Sequence, residues 1–240
     1  MPSRWEVPLT GAEPGAVRWE HLHAAISTWF DTDGEHHDKV KGYAISPPRD
    51  SPRGPVVEIG LLREDLVARL LSRATKGART RLGRTVLTLD SPARQLAAAP
   101  WERLGDGHRD RAWCLRFVTP LTFRRGNKFT PFPAPAPILG SLRRTWNTHA
   151  PTEQALTLDL AADPVWVTDI DGANDVRRVH DRTVSGFVGR LRLESDADEA
   201  TTAAVNKLIH LAPFAGVGAY TTRCFGVTRL DPTWQPRWER

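Results

Sequence analysis

Cysteine and lysine are both scarce in this 240-residue sequence. The two cysteines, Cys114 and Cys224, belong to no CxxC pair and to no Cys/His cluster. Structural zinc sites use four such ligands at short spacings, so the sequence predicts no zinc site. We expect two buried free thiols and no metal or cofactor. Lysine supplies five of the 33 cationic residues and arginine the rest. Arginine binds phosphate and stacks on bases, but a GC-rich genome produces the same bias.

Long apolar runs and leader-like features are missing as well. No apolar run approaches the ~20 residues that a membrane span needs. Residues 1–9 are polar and mixed, unlike a signal peptide. We therefore expect a cytoplasmic protein with no membrane partner. The formal net charge of +5 and the pI of about 9.7 favour an anionic partner such as nucleic acid.

A glycine-rich segment lies near the C-terminus. Gly216, Gly218 and Gly226 separate a helical pattern over 197–211 from an apolar run over 224–230 that predicts a strand. Glycines permit positive φ, and successive N–H groups in such a loop can form a concave anion site. A tight turn between helix and strand explains the same residues equally well. The spacing fits neither a dinucleotide fingerprint nor a Walker loop.

The hydrophobic periodicity predicts the order strand, helix, strand, strand, helix, strand twice along the chain. In the first run the last strand is 84–89, and a linker follows over 91–110. In the second run a strand is broken by a turn at Asp171-Gly172. This order is that of the ferredoxin-like fold. We predict an α+β protein of two tandem ferredoxin-like (RRM-like, βαββαβ) domains, 1–108 and 109–240, the second with the glycine-rich loop.

The glycine-rich segment also resembles a family signature of Gly-apolar-Gly, five residues and Gly-Phe-Gly. Here it reads Gly216-Val217-Gly218 and then Cys224-Phe225-Gly226, with Cys224 as the departure. It is similar to the CRISPR-associated endoribonucleases that cut precursor CRISPR RNA, the sixth numbered Cas family of the RAMP superfamily. Further similar stretches follow in the family's order, at 22–26, 37–47, 119–126 and 139–147. The resemblance spans almost the whole chain and implies the same tandem fold.

The resemblance implies metal-independent RNA cleavage with the candidate active site in the first domain. The RNA's own 2′-hydroxyl attacks, the 5′-oxygen leaves, and a 2′,3′-cyclic phosphate remains. Such a reaction needs a base, an acid and cations around the phosphate. His37 matches the family's active-site histidine, and Lys41 matches the lysine before an aromatic strand. His36 is an alternative to His37, and both histidines also fit solvated loop positions.

The first helix departs from the family pattern. Many members carry a tyrosine there, whereas Ser27 or Thr28 stands at the matching place here. Ser27 is expected to position the 2′-hydroxyl. His23 lies one helical turn earlier on the same face and is a candidate partner for His37. The other interpretation of His23 is a helix-surface residue.

RNA binding is predicted at basic residues and at the glycine-rich segment, because an RNA stem is contacted mostly through phosphates and 2′-hydroxyls. The candidates are Arg124, Arg125, Lys128, Arg143, Arg144, Arg223, Gly216 and Gly218. Solvated surface is the other interpretation of the basic runs.

The predicted function is an endoribonuclease that binds and cleaves repeat stem-loops in precursor CRISPR RNA, yielding guide RNA. Effector-complex subunits and a second copy of the chain are further candidate partners. One rival function is a non-catalytic RAMP subunit that binds RNA in an effector complex and needs no His37 with Lys41. The second rival is a metabolic enzyme of ferredoxin-like fold, which predicts a small-molecule pocket and no RNA affinity.

Overall fold

The computed structural model describes residues 1–9, 17–32, 40–52, 54–159, 164–179 and 181–235. These residues form two four-stranded antiparallel sheets, each accompanied by two α-helices and a short hairpin. The chain is therefore an α+β protein with a tandem ferredoxin-like fold, as the sequence predicts. The domain boundary at 108/109 stays a prediction.

The first sheet and its helices come from the N-terminal half of the chain. The elements are, in order, β1 Ser3–Pro8, α1 Trp19–Phe30, β2 Tyr43–Ile45, β3 Val56–Leu61, α2 Glu64–Arg73, β4 Arg79–Leu82, β5 Thr85–Thr88 and β6 Arg94–Ala98. The strand order is β2-β3-β1-β6, and each neighbouring pair is antiparallel. With β6 as the fourth strand, this is the ferredoxin-like arrangement.

The fourth strand of this sheet differs from the prediction. Residues 85–88 pair with β4 in a separate hairpin, and β6 lies inside the segment that was predicted to be a linker. The apolar signal of 84–89 comes from Leu87 and Leu89, which are buried in the first core without joining its sheet. The edge strand β6 carries little apolar signal, and its Arg94 pairs with Glu6 of β1 at 2.9 Å.

The second sheet comes from the C-terminal half. Its elements are β7 Ala112–Leu121, β8 Phe123–Arg125, β9 Lys128–Thr130, α3 Pro135–His149, β10 Trp166–Val179, β11 Arg182–Glu194, α4 Glu199–Ala215 and β12 Thr228–Leu230. The strand order β10-β11-β7-β12 repeats that of the first sheet, and β8 and β9 form a hairpin outside it.

Two strands of this half also differ from the prediction. β10 runs unbroken through Asp171-Gly172, because the backbone there stays paired with β11, where Gly172 faces Gly189. The last strand spans only three residues instead of 224–230. Cys224 and Gly226 have φ values of 66° and 62°, which an extended strand does not allow.

The two halves are joined by backbone contact as well as by side chains. A Cβ built on Gly60 of β3 would lie 1.8 Å from the carbonyl oxygen of Phe214 in α4, so only glycine permits this approach. Arg229 of β12 is hydrogen-bonded to Glu58 of β3. Cys224, which follows α4 of the second half, is buried in the first hydrophobic core. The halves thus form one packed body with a shared boundary.

Two further expectations concern buried free thiols and membrane-spanning helices. Both cysteines are free, and Cys224 is fully buried whereas Cys114 is partly exposed. Burial raises the pKa of each thiol. Within the described ranges, no helix combines the length and the apolarity that crossing a membrane requires.

Candidate active site

A cleft of about 620 Å³ lies where the two halves meet. It is bordered by α1, by residues 40–41, by the β8 strand, by α3 and by residues 215–223. Its ionisable lining residues are one histidine, one carboxylate and five cations: His23, Asp31, Lys41, Arg124, Arg125, Arg144 and Arg223. Among the described lining residues, lysine and arginine therefore outnumber carboxylates five to one.

Most of the residues predicted from the sequence line this cleft. They are His23, Lys41, Arg124, Arg125, Arg144, Gly216, Gly218 and Arg223. His36 and His37 lie outside the described residues. Asp31 and Val40, which stand on either side of that segment, both line the cleft.

His23 is held by a backbone carbonyl from the other half of the chain. Its Nδ1 lies 2.9 Å from the carbonyl oxygen of Thr222. A carbonyl oxygen only accepts hydrogen bonds, so Nδ1 must carry the proton and donate it. Nε2 is then the nitrogen at which neutral His23 can accept a proton. This arrangement fixes both the ring orientation and the tautomer that a general base needs.

Lys41 is held by a carboxylate at the end of α1. Its Nζ lies 3.1 Å from Asp31 Oδ2, and the two side chains are only 17% and 8% exposed. Asp31 is itself fixed, because its backbone N–H donates to the Ser27 carbonyl at the end of α1, 2.8 Å away. The pair keeps an ammonium group at a defined place beside the cleft.

Tyr43 lies behind this pair. The pKa of its buried hydroxyl is raised, first by burial and then by the charge of the neighbouring Asp31 carboxylate, while Arg223 acts in the opposite direction. Tyr43 therefore stays protonated at neutral pH. Arg223 and Asp31 come from different halves of the chain, so the same electrostatic cluster spans the boundary.

The glycine-rich segment is a tight turn whose first amides are already satisfied. The N–H groups of 216, 217, 218 and 219 donate to the Ala212 carbonyl, the Gly226 carbonyl, the Ser141 hydroxyl and the Thr122 carbonyl. These four groups do not form a cradle for an anion, and the turn interpretation is the better one. A Cβ on Gly218, whose φ is 88°, would lie 2.4 Å from the Thr122 carbonyl oxygen. The glycines thus permit close packing that places residues 219–223 at the cleft.

Residues 220–224 carry unusual backbone geometry. Tyr220 and Cys224 have positive φ values of 64° and 66° on either side of the 3₁₀ helix Thr221–Arg223. Such conformations cost about 1–3 kcal/mol each and persist only where the surroundings enforce them. Burial of Cys224 and stacking of Tyr220 on Phe129, with ring centroids 5.2 Å apart, supply that enforcement.

Three predicted residues do not line the cleft. Arg143 donates to the Leu158 carbonyl, whereas its neighbour Arg144 faces the cleft. Successive helical residues point about 100° apart, so adjacent arginines reach different surfaces. Ser27 is buried and donates to the Ala24 carbonyl of its own helix, 3.1 Å away. Lys128 is exposed on β9.

Sequence reasoning did not single out Asp31, Tyr43 or Thr222. Tyr43 stands two residues after Lys41 at the start of β2, and in a fully extended chain this spacing would place both on one side. That signal could have been used. The contact between His23 and Thr222 joins residues 199 positions apart, and no local pattern announces it.

A family model matches the second half of the chain. Residues 115–228 match the family of the CRISPR-associated endoribonuclease Cas6. This match covers just under half of the chain. The resemblance stated from the sequence is therefore confirmed. No curated protein matches this chain significantly.

Solved Cas6 structures share the fold over nearly the whole length. A Cas6 product complex from Thermus thermophilus is 24% identical, with a TM-score of 0.82, and 96% of this chain and 99% of that chain are covered. A Cas6-related protein from Pyrococcus furiosus is 11% identical, with a TM-score of 0.62 and coverage of 98% and 100%. An RAMP protein described as binding different RNA substrates is 12% identical, with a TM-score of 0.58 and coverage of 95% and 99%. At these identities the similarity shows the tandem ferredoxin-like fold.

Proposed function

We propose that this chain is a Cas6-type endoribonuclease that cleaves repeat stem-loops in precursor CRISPR RNA without a metal ion. The 2′-hydroxyl of the RNA attacks the adjacent phosphorus, the bond to the 5′-oxygen breaks, and a 2′,3′-cyclic phosphate forms. The observation that carries the proposal is the cationic cleft, which combines one oriented histidine with five lysine and arginine side chains. Solved relatives include a Cas6 product complex and a Cas6 substrate-mimic complex, which supports an RNA ligand here.

Proton transfer is assigned to histidines of the first half. The 2′-hydroxyl loses a proton and the 5′-oxygen gains one, so the reaction uses one base and one acid. His37 is the first candidate, and His23 is its partner through Nε2. The segment that carries His37 is flanked by Asp31 and Val40, both at the cleft. Another similar solved structure is described as the H37A mutant of a Cas6, and the match covers 98% of that chain.

Lys41 is assigned to the phosphate. Negative charge builds on the nonbridging oxygens in the transition state, and an ammonium group already fixed in place stabilises it without reorganisation. Asp31 holds that ammonium group at 3.1 Å and therefore acts as a positioning residue. Tyr43 lies close enough to Asp31 for the carboxylate charge to raise the pKa of its hydroxyl.

The exposed arginines are assigned to RNA binding. Arg124 and Arg125 on β8 and Arg144 on α3 line the same cleft and remain solvent-accessible. Guanidinium groups form bidentate hydrogen bonds with phosphates, which suits recognition of an RNA backbone. The N–H groups of Gly216 and Gly218 are hydrogen-bonded within the protein. These glycines therefore contribute by permitting the close packing that places residues 219–223 at the cleft. Effector-complex subunits and a homodimer stay predictions.

The decisive experiment is cleavage of a host CRISPR repeat RNA in EDTA, compared with the same RNA carrying a single 2′-deoxy substitution at the cut site. We expect the unmodified RNA to be cut and the substituted RNA to be bound but uncut. Strong inhibition by EDTA would contradict metal independence. Tight binding of both RNAs without cleavage of either would favour the RNA-binding subunit, and no binding would reject both functions.

A further inference from the structure

A second cluster of ionisable side chains lies outside the residues that line the cleft. It consists of His108, Asp110 and His210, each of which offers a ligand atom within 4.8 Å of the others. His108 and Asp110 lie between β6 and β7, and His210 lies on α4. His108 Nδ1 and Asp110 Oδ2 are 3.0 Å apart. The ring centroids of His108 and His210 are 4.1 Å apart, with an interplanar angle of 37°.

We propose that His108, Asp110 and His210 bind a divalent transition-metal ion of the zinc type. Zinc commonly takes three protein ligands drawn from imidazole and carboxylate, together with a water molecule. Ligand bonds of about 2.0 Å in a tetrahedron place two donor atoms about 3.3 Å apart. His108 Nδ1 and Asp110 Oδ2 are hydrogen-bonded at 3.0 Å, so an ion could replace the proton between them with little change in their separation. Imidazole ligands also bind copper and nickel, so the same three residues would accept those ions as well as zinc.

The backbone that carries these residues is fixed by α4. The Asn206 side chain donates to the Asp110 carbonyl at 3.0 Å and accepts from Trp113 Nε1 at 2.8 Å. A Cβ on Gly105, whose φ is 68°, would lie 2.7 Å from the Asn206 carbonyl carbon, so the segment before His108 also lies directly against the helix.

Asn206 and His210 are four residues apart on α4 and therefore share a helical face. The buried Asn206 thus fixes the segment that carries two ligands beside the helix that carries the third. This support is what a site requires if its ligands are to be positioned before the ion arrives.

The proposed site differs from the expectation drawn from the sequence, because its third ligand, His210, is remote in sequence from His108 and Asp110. A bound ion would link the segment before β7 to α4 and would stabilise that packing. It would not take part in the cleavage proposed above, since none of the three residues lines the cleft. EDTA should therefore lower the melting temperature of zinc-loaded protein without abolishing RNA cleavage.

The test is calorimetric titration of the full, untagged chain with Zn²⁺, repeated with Co²⁺ and followed by visible absorption. We expect one Zn²⁺ per chain, a rise in melting temperature on binding, and a Co²⁺ spectrum typical of low coordination number. Changes in residues that merely support metal ligands weaken binding by about 10–100-fold, so loss of a ligand should cost at least about tenfold.

The informative variants are His108→Ala and Asp110→Asn, because both side chains are about half exposed, at 47% and 51%, and neither change opens the core. His21→Ala on α1 is the matched control and should bind as the unchanged protein does. Absence of Zn²⁺ binding by the unchanged chain would overturn the proposal. Equal affinity in either ligand variant would also overturn it.

Discussion

The two walls of the cleft differ in how firmly their charged groups are held. On the wall from the N-terminal half, His23, Asp31 and Lys41 are largely buried and joined to defined partners. On the opposite wall, Arg124 and Arg144 are exposed. Fixed, partly desolvated groups suit proton transfer and transition-state stabilisation, whereas exposed cations suit contact with a flexible phosphate backbone. Under the proposed function, we therefore expect the chemistry in one half of the chain and most of the RNA affinity in the other.

The largest expected effect comes from His37→Ala. A general acid or base contributes about 10²–10⁴-fold to the rate, so single-turnover cleavage should fall within that range. Binding to the repeat RNA, measured by filter retention, should stay nearly unchanged. His36→Ala is the matched control from the adjacent position. Full activity in His37→Ala would remove this residue from the mechanism.

His23→Ala tests the other histidine of the same wall. We expect a decrease in the cleavage rate of about 10²-fold or more, because the oriented Nε2 is lost while the arginine wall remains. His21→Ala, two residues earlier on α1, serves as the control for general effects on the helix. If His23→Ala instead weakened RNA binding and left the rate of bound RNA unchanged, His23 would belong to the binding surface.

Lys41→Ala should have a smaller effect on the same rate. Removing one group that stabilises developing charge costs about 10²–10³-fold in well-studied enzymes, and other cations in the cleft compensate in part, so we expect the lower end. Asp31→Asn keeps Lys41 but weakens its positioning, and should reduce kcat with little change in RNA affinity. A large loss of affinity in Asp31→Asn would show that the pair maintains the cleft instead.

The smallest effect is expected on the arginine wall. Arg144→Ala should weaken binding of all RNAs to a similar degree and reduce the slope of log affinity against log salt by about 1, as expected for one lost phosphate contact. Arg143→Ala provides the control, because that guanidinium donates to the Leu158 carbonyl and does not line the cleft. Equal changes in the salt slope for both variants would show that helix phase does not decide RNA contact.

The sequence predicted the repeated element order well, because most strands and helices carry a strong hydrophobic period. It misplaced the fourth strand of the first sheet, since Arg94 and Gln95 of β6 lie on an exposed edge where no apolar pattern is needed. The family resemblance identified Lys41 and the glycine-rich segment, and both lie at the cleft. It did not separate Arg143 from Arg144, because the face of a helix that meets a partner is set by tertiary packing.

The contact between Gly60 and Phe214 has a consequence for substrate choice. Backbone atoms of β3 and α4 meet there without an intervening side chain, so this contact fixes the separation of the two halves at that point. Cys224, buried in the first core from the second half of the chain, opposes any hinge between them. Under the proposed function, a fixed spacing of the two halves would select RNA by its shape. An RNA stem whose groove width does not match that spacing would have to deform before the protein could contact its bases.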